Sequence, residues 1–485
     1  MASSEFTDVL IIGAGLSGIG AACHLRRACP GRSLAIVEAR QALGGTWDLF
    51  RYPGVRSDSD MYTLSYSFRP WAGDKSIADG PSILQYLRDT ARENGIEPLI
   101  RFGQRVRSAR WSSADARWTV QIERDAGEPI ELQCGFLLNC SGYYDYAEGY
   151  SPDFPGRERF SGQIVHPQHW PEQLEYAGKR VVVIGSGATA VTLVPALAEQ
   201  AAHVTMLQRS PSYVLSRPSD DPVAAWMRRL LGAGFAGGLT RWKNLLLAML
   251  LFTQCRRRPD SARSMLLKLV RRQLGPDYDV STHFTPRYNP WQQRLCLVPD
   301  GDLFQAIRAG RASVVTDQIE AFTAHGLRLA SGAELPADLV VTATGLKLLA
   351  VGRMELQVDG RAIDPAGLVN YKGVMFGGVP NFASIFGYTN ASWTLKADLA
   401  SLFVCRVLNH MQRTVARQCM PGAEDAMNQP LEPMVDFSSG YFQRSLDRLP
   451  RQGKRKPWKF NQNYLADWAA LRFGAIDDGV MRFSA

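Results

Sequence analysis

The chain has 485 residues, 46 % of them hydrophobic and 21 % charged, an ordinary globular composition with room for two or three cores, so disorder is not the default expectation. Its formal charge of +9 suits nucleic acid, anionic lipid or a phosphate-rich small ligand equally and selects none of them. Eight scattered cysteines without a C-x-x-C pair speak against a zinc site and a dithiol redox motif, and fit a reducing cytoplasm. The polar start, residues 1–8, feeds straight into a glycine motif rather than a cleavage site, so no export signal is expected. The longest lipid-like run, 245–252, is far shorter than the roughly 20 residues of a spanning helix.

Residues 8–13 form a short apolar run ending in glycine; 19–27 then read as a helix rich in Ala and Leu, and 33–38 as a second apolar run. Strand, glycine turn, helix and strand make the βαβ unit of a doubly wound fold. A second copy follows Lys179, with apolar 180–185, a helix to about 200 and another apolar run at 204–209. Two strand-to-glycine patterns, 136–142 and 337–345, are expected to return to the edge of the first sheet. The predicted fold is therefore α/β with two Rossmann-like dinucleotide-binding domains. The first is discontinuous, 1–145 and 335–485; the second, 146–334, is inserted between its halves. From about 218 to 278 apolar residues recur at helical spacing among arginines, which predicts a helical excursion serving as a lid or packing subdomain, with a peripheral membrane-surface anchor as the other reading.

Gly13, Gly15 and Gly18 stand where strand becomes helix, so backbone can approach a pyrophosphate and a helix N-terminus can face its charge. Glu38 follows Gly18 by twenty residues, at the end of the next strand, where a carboxylate accepts from ribose hydroxyls and repels a 2′-phosphate. Gly44, Gly45 and Thr46 give a second glycine turn, and Trp47 an indole able to flank a flavin; FAD is the cofactor expected here. In the second copy, Gly185, Gly187, Thr189 and Ala190 lie in a G-x-G-x-x-A turn, and Arg209 with Ser210 stands where Glu38 stood. A cation in place of an anion is the condition for the 2′-phosphate of NADPH.

The connection 160–171 carries Phe160, Gly162, His166, Trp170 and Pro171 at the spacing F-x-G-x-x-x-H-x-x-x-W-P. In this it resembles the Baeyer-Villiger monooxygenases, a family of class B flavoprotein monooxygenases. Blocks 47–62, 166–171, 288–299 and 387–394 resemble the ethionamide-activating, thioamide-oxidising group of that family. The resemblance runs from about Asp8 to Phe483.

What the resemblance implies is an enzyme that converts ketones to esters or lactones with NADPH, FAD and O₂, through oxygen added at flavin C4a, and that also oxidises sulfides or thioamides. The peroxide anion so formed needs a fixed cation, and the family's essential arginine corresponds to Arg294. Its carboxylate partner, also at the flavin site, corresponds to Asp58, with Asp60 as the competing position. His166 is implied to act through NADPH engagement and domain movement. A lysine often precedes the matched arginine in aryl and cyclic ketone oxygenases; Gln293 stands there instead. His166 and His169 as a metal pair are disfavoured by Pro167 and Pro171, so no metal is expected. The rival readings are a heteroatom oxygenase acting on nitrogen or sulfur, and an inert flavin-binding redox sensor. Paired cysteines for a disulfide reductase are lacking, and no nucleic-acid motif is present. Oligomeric state is not encoded in any motif.

Overall fold

The computed structural model describes residues 5–485. Its first sheet has eleven strands. Glu5–Ile12 lies inside it, parallel to Leu34–Val37 on one side and to Ile130–Asn139 on the other. Near-continuous apolar runs form these strands because both faces are covered: Val9, Leu10 and Ile11 have no exposed surface. Helices Leu16–Ala28 and Trp393–Thr414 pack on one face, while Gln104–Ser112 and Arg117–Arg124 extend the sheet as an antiparallel meander.

The second sheet has five strands, all parallel, in the order Ala312–Thr316, His203–Gln208, Arg180–Ile184, Leu339–Thr342, Gln163–Val165. It is inserted in the chain between strands of the first sheet, as the sequence led us to expect. Two expected placements are corrected. Leu339–Thr342, part of the 337–345 pattern assigned to the first sheet and to the half beginning at 335, pairs with Arg180–Ile184 and Gln163–Val165 of the second. Its four residues are all buried, and an apolar run bounded by glycine fits either parallel sheet equally well. The chain re-enters the first sheet later, at Glu355–Val358 beside Gln104–Ser112. Ile130–Asn139 likewise lies inside the first sheet and not at its edge, between Glu5–Ile12 and Arg117–Arg124.

The two crossings between the sheets run side by side: Tyr144–Gly149 and Leu346–Leu348 pair antiparallel. The helical excursion consists of Pro222–Leu231, Ala233–Arg257 and Pro259–Leu274. Among the described residues no helix is long and apolar enough to cross a membrane.

Candidate active site

The first glycine turn is built by backbone contact. Gly13 has φ +100°, and a Cβ on Gly18 would stand 1.9 Å from the Gly13 carbonyl oxygen, so only glycine lets the helix start this close to the strand. The second turn leans on the first: Gly44 N donates to Ala14 O at 2.9 Å, and a Cβ on Gly45 would meet Gly15 Cα at 3.0 Å. Helix Leu16–Ala28 begins at Gly15 with no side-chain cap, leaving its first N–H groups free for a ligand. Glu38 is buried; Oε2 accepts from Ala14 N at 2.7 Å and Oε1 from Arg40 N at 2.9 Å. Burial raises its pKa against the pull of those two bonds. Each oxygen still has a lone pair to accept a ribose hydroxyl.

A cavity of about 120 Å³ lies against Gly13, Gly15, Glu38, Arg105 and Met354. It shares Gly15, Cys140, Tyr144 and Tyr146 with a larger one of about 260 Å³. The larger cavity runs past Thr46 and Trp47 to Asp58 and Arg294, and on its other side reaches Ala188, Thr189 and Thr192 of the second nucleotide turn. The residues present thus fit an extended dinucleotide with one end at Glu38 and its ring near Trp47 and Arg294.

The second turn is arranged for another such ligand. Gly185, at φ +140°, would place a Cβ 2.4 Å from Ala343 O, whereas a Cβ on Gly187 would meet nothing within 4 Å. Ala190 is fully buried against the sheet. Helix Ala188–Leu197 begins at Gly187 without a side-chain cap. Arg209 and Ser210 are exposed at the end of His203–Gln208, and Arg209 pairs with no carboxylate among the described residues. Arg444 lies near enough for the charge of Arg209 to depress its pKa, after burial and against the effect of Tyr150. Its guanidinium sits over the Tyr150 ring, 3.5 Å from the centroid. Arg209 and Arg444 thus lie within electrostatic reach of one another, and neither pairs with a carboxylate among the described residues.

Arg294 precedes the strand Cys296–Pro299 and forms a two-pronged ion pair with Asp58: Nε to Oδ2 2.7 Å, Nη2 to Oδ1 2.9 Å. Burial works against its charge, but the Asp58 carboxylate raises its pKa, so the guanidinium stays protonated. Asp60 is engaged elsewhere. It caps Met61–Leu64 through Thr63 N at 3.0 Å and accepts from Asn244 of the excursion at 3.0 Å. Asp58, Ser59, Arg294, Leu297 and Ala391 also line another cavity of about 170 Å³, whose remaining wall includes Leu245, Met249, Phe252, Trp291 and Tyr464. The ion pair therefore stands where a nucleotide-sized cavity meets an apolar chamber roofed by the excursion.

His166 stands apart from these cavities. Its Nδ1 accepts from Gln168 N and its Nε2 donates to Gly345 O, both at 3.2 Å, which fixes a neutral ring. Burial lowers its pKa, the Gly345 carbonyl partly opposing. The ring fills the space over Gly149, where a Cβ would come within 2.0 Å of it, and so holds both crossing strands at once. Trp170 packs edge-on to Tyr176 beneath the second sheet, 6.5 Å between centroids.

The family described as flavin-binding monooxygenase-like matches residues 7–231. The FAD-containing monooxygenase EthA of Mycobacterium tuberculosis is 55 % identical over 99 % of this chain and 98 % of its own. The chain belongs to this family of flavoprotein monooxygenases. In fold it is similar to two solved structures. Cyclohexanone monooxygenase in an open form has a TM-score of 0.78 at 20 % identity, over 99 % of this chain and 100 % of that one. Oxidized steroid monooxygenase bound to NADP has 0.76 at 24 %, over 99 % of each.

Several residues of this flavoprotein site carry no motif of their own. Tyr143 and Tyr144 follow the strand-to-glycine pattern 136–142, and that position was the one signal available for them. Tyr143 stacks on Trp393, 5.0 Å between centroids. Tyr52, from the turn after Phe50, is buried beside Thr189, and burial pushes its hydroxyl up to about 12 while Thr189 draws it back. Arg444, 235 residues beyond Arg209, has no local signal at all.

Proposed function

We propose that this monooxygenase is of the Baeyer-Villiger type, with FAD held between Glu38 and Arg294 and NADPH held by the Gly185 to Ala190 turn with Arg209, Ser210 and Arg444. It uses NADPH and O₂ to insert one oxygen atom beside a ketone carbonyl, giving an ester or lactone, NADP⁺ and water, and by the same oxygen supply oxidises sulfides or thioamides. When bound, the flavin supplies reducing equivalents from NADPH to oxygen. The single observation that carries the reading is the place of Arg294, a permanently charged guanidinium oriented by Asp58 at the junction of the two cavities. Nucleophilic attack on a carbonyl develops anionic charge on oxygen, and a cation fixed in advance in a water-poor site stabilises it without reorganising. Burial keeps the phenols of Tyr143, Tyr144 and Tyr441 protonated, so they add no negative charge to that of Asp58 beside the guanidinium.

The NADP named with the steroid monooxygenase structure and the FAD in the name of EthA support the same cofactor pair here. Apolar walls of Leu245, Met249, Phe252 and Trp291 suit a hydrophobic carbonyl compound. The experiment is product analysis under NADPH and air with a methyl ketone and a methyl sulfide. Ester from the ketone, 16 mass units heavier, is expected; oxidation of the sulfide with the ketone untouched would overturn the carbonyl chemistry.

A further inference from the structure

The excursion has a surface that neither nucleotide site uses. Among the described residues, twelve of the eighteen exposed large hydrophobic side chains fall within 222–274. They form stripes: Val223, Trp226 and Leu230 on the first helix, at intervals of three and four, then Phe235, Leu239, Trp242, Leu246 and Leu250 on the second, at intervals of four, three, four and four. These are not marginal exposures: Trp226 is 62 %, Leu230 61 %, Phe235 66 % and Leu250 56 % exposed. An adjoining face of the second helix, roughly a quarter-turn round, is apolar as well, with Leu245, Met249 and Phe252 lining the chamber beside Arg294. A helix that is apolar on both faces needs a non-aqueous neighbour on both.

The charge of the same segment is one-sided. Residues 222–274 hold eleven Lys and Arg and one acid, Asp260, a balance of +10 in a chain whose total is +9. Arg229, Arg257, Arg258, Lys268, Arg271 and Arg272 are exposed, and none pairs with a carboxylate among the described residues. Lys268 and Arg272 each stand three residues after an exposed apolar side chain, Met265 and Leu269. Cations thus border the apolar stripes.

We infer that the 222–257 face, with the basic helix Pro259–Leu274 beside it, docks this enzyme on an anionic phospholipid surface, the apolar stripes entering the headgroup boundary and the arginines meeting phosphate. A second copy of the chain meeting this face with its own would oppose cation to cation, whereas anionic headgroups neutralise them. The chamber is lined by the next face of the same helix, within one helix width, about 10 Å, of the docked stripe, a short route for an apolar substrate dissolved in lipid. The docking stands whether or not the assigned reaction does.

Co-sedimentation of the FAD-loaded full chain with vesicles tests it, using phosphatidylcholine alone and phosphatidylcholine mixed with an equal part of phosphatidylglycerol. The wild type is expected in the pellet with the mixed vesicles and in the supernatant with the neutral ones, with binding weakened by salt. Trp226→Ser, Leu230→Ser and Phe235→Ser combined are expected to leave the protein in the supernatant at unchanged NADPH oxidation. Arg257→Gln with Arg258→Gln and Arg272→Gln, which touch no core, are expected to lower the bound fraction and flatten its salt dependence. Wild type that stays in the supernatant with both vesicles overturns the inference, as does equal binding to both. So does a wild-type dimer that becomes monomeric in the serine variant without any vesicle binding.

Discussion

Arg294 and Asp58 face each other through two bonds of 2.7 and 2.9 Å, although 236 residues separate them in the chain, and each lines both the nucleotide cavity and the apolar chamber. The turn before Met61–Leu64 brings Asp58, and the segment entering Cys296–Pro299 brings Arg294, so the pair also ties the two nucleotide-binding halves together. Arg294→Ala removes the cation and leaves both glycine turns intact. Reduction of the flavin by NADPH is expected at near wild-type rate in stopped flow, while ester formation falls by about 10²- to 10³-fold and hydrogen peroxide is released instead. Ester at wild-type rate from this variant would remove the role assigned to the guanidinium.

Arg209 and Arg444 form the only cation pair proposed for the 2′-phosphate, and their sharing of one site makes them separable from the rest of the coenzyme grip. Arg209→Ala and Arg444→Gln are each expected to raise the KM for NADPH by about tenfold or more, the worth of one charge-assisted hydrogen bond, and to leave the KM for NADH within a factor of about two. Steady-state kinetics with both coenzymes decides; equal effects on the two would place these side chains elsewhere. Gln293, next to Arg294, brings no further cation, which makes Arg444 the residue whose loss is most informative.

How far the sequence was legible follows from the range of each signal. Gly13 to Glu38 is one βαβ unit, and within such a unit turn, helix and the end of the second strand are locked in register by covalent distance, so their positions could be read directly. The 337–345 run was misplaced because an apolar strand buried on both faces carries no mark of which sheet it joins. Asp58 could not be told from Asp60 by spacing. Asp60 is consumed by capping Thr63 and by Asn244, a contact that depends on how the excursion folds back. Arg444 was invisible for the same reason: its partner in charge lies in another part of the chain, and only the fold brings them together.

Two glycines, one from each nucleotide turn, should respond differently to the same substitution. Gly18→Ala drives a methyl to 1.9 Å from Gly13 O, where backbone must yield, so the protein is expected to lose about 1–3 kcal/mol of stability and to retain FAD poorly. Gly187→Ala meets no protein atom within 4 Å and its φ of −82° suits alanine. Its melting temperature is expected to stay unchanged while the KM for NADPH rises, because the space the methyl fills is ligand space. Melting curves of the FAD-loaded proteins alongside coenzyme kinetics test both, and a destabilised Gly187→Ala would mean that this turn is packed by protein rather than by coenzyme.

His166 couples the crossing strands to pH. Burial lowers its pKa below the usual histidine value, so on acidification the unfolded chain takes up a proton at about 6.5 while the folded ring still resists. The neutral ring therefore contributes its stability above that value, and the contribution is lost as pH falls through the lower folded pKa. His166→Gln keeps a side-chain N–H for Gly345 O but cannot titrate, so its melting temperature is expected to fall less steeply than that of the wild type as pH drops below about 6.5. Another histidine of lowered pKa, the half-buried His283, acts alike in both proteins and cancels in the difference. Because the ring holds Tyr144–Gly149 against the turn at Gly345, and both crossings must flex together when one nucleotide half moves against the other, the same variant is expected to lower kcat more than it changes the KM for NADPH. Parallel pH profiles and an unaltered kcat in the variant would leave His166 as packing alone.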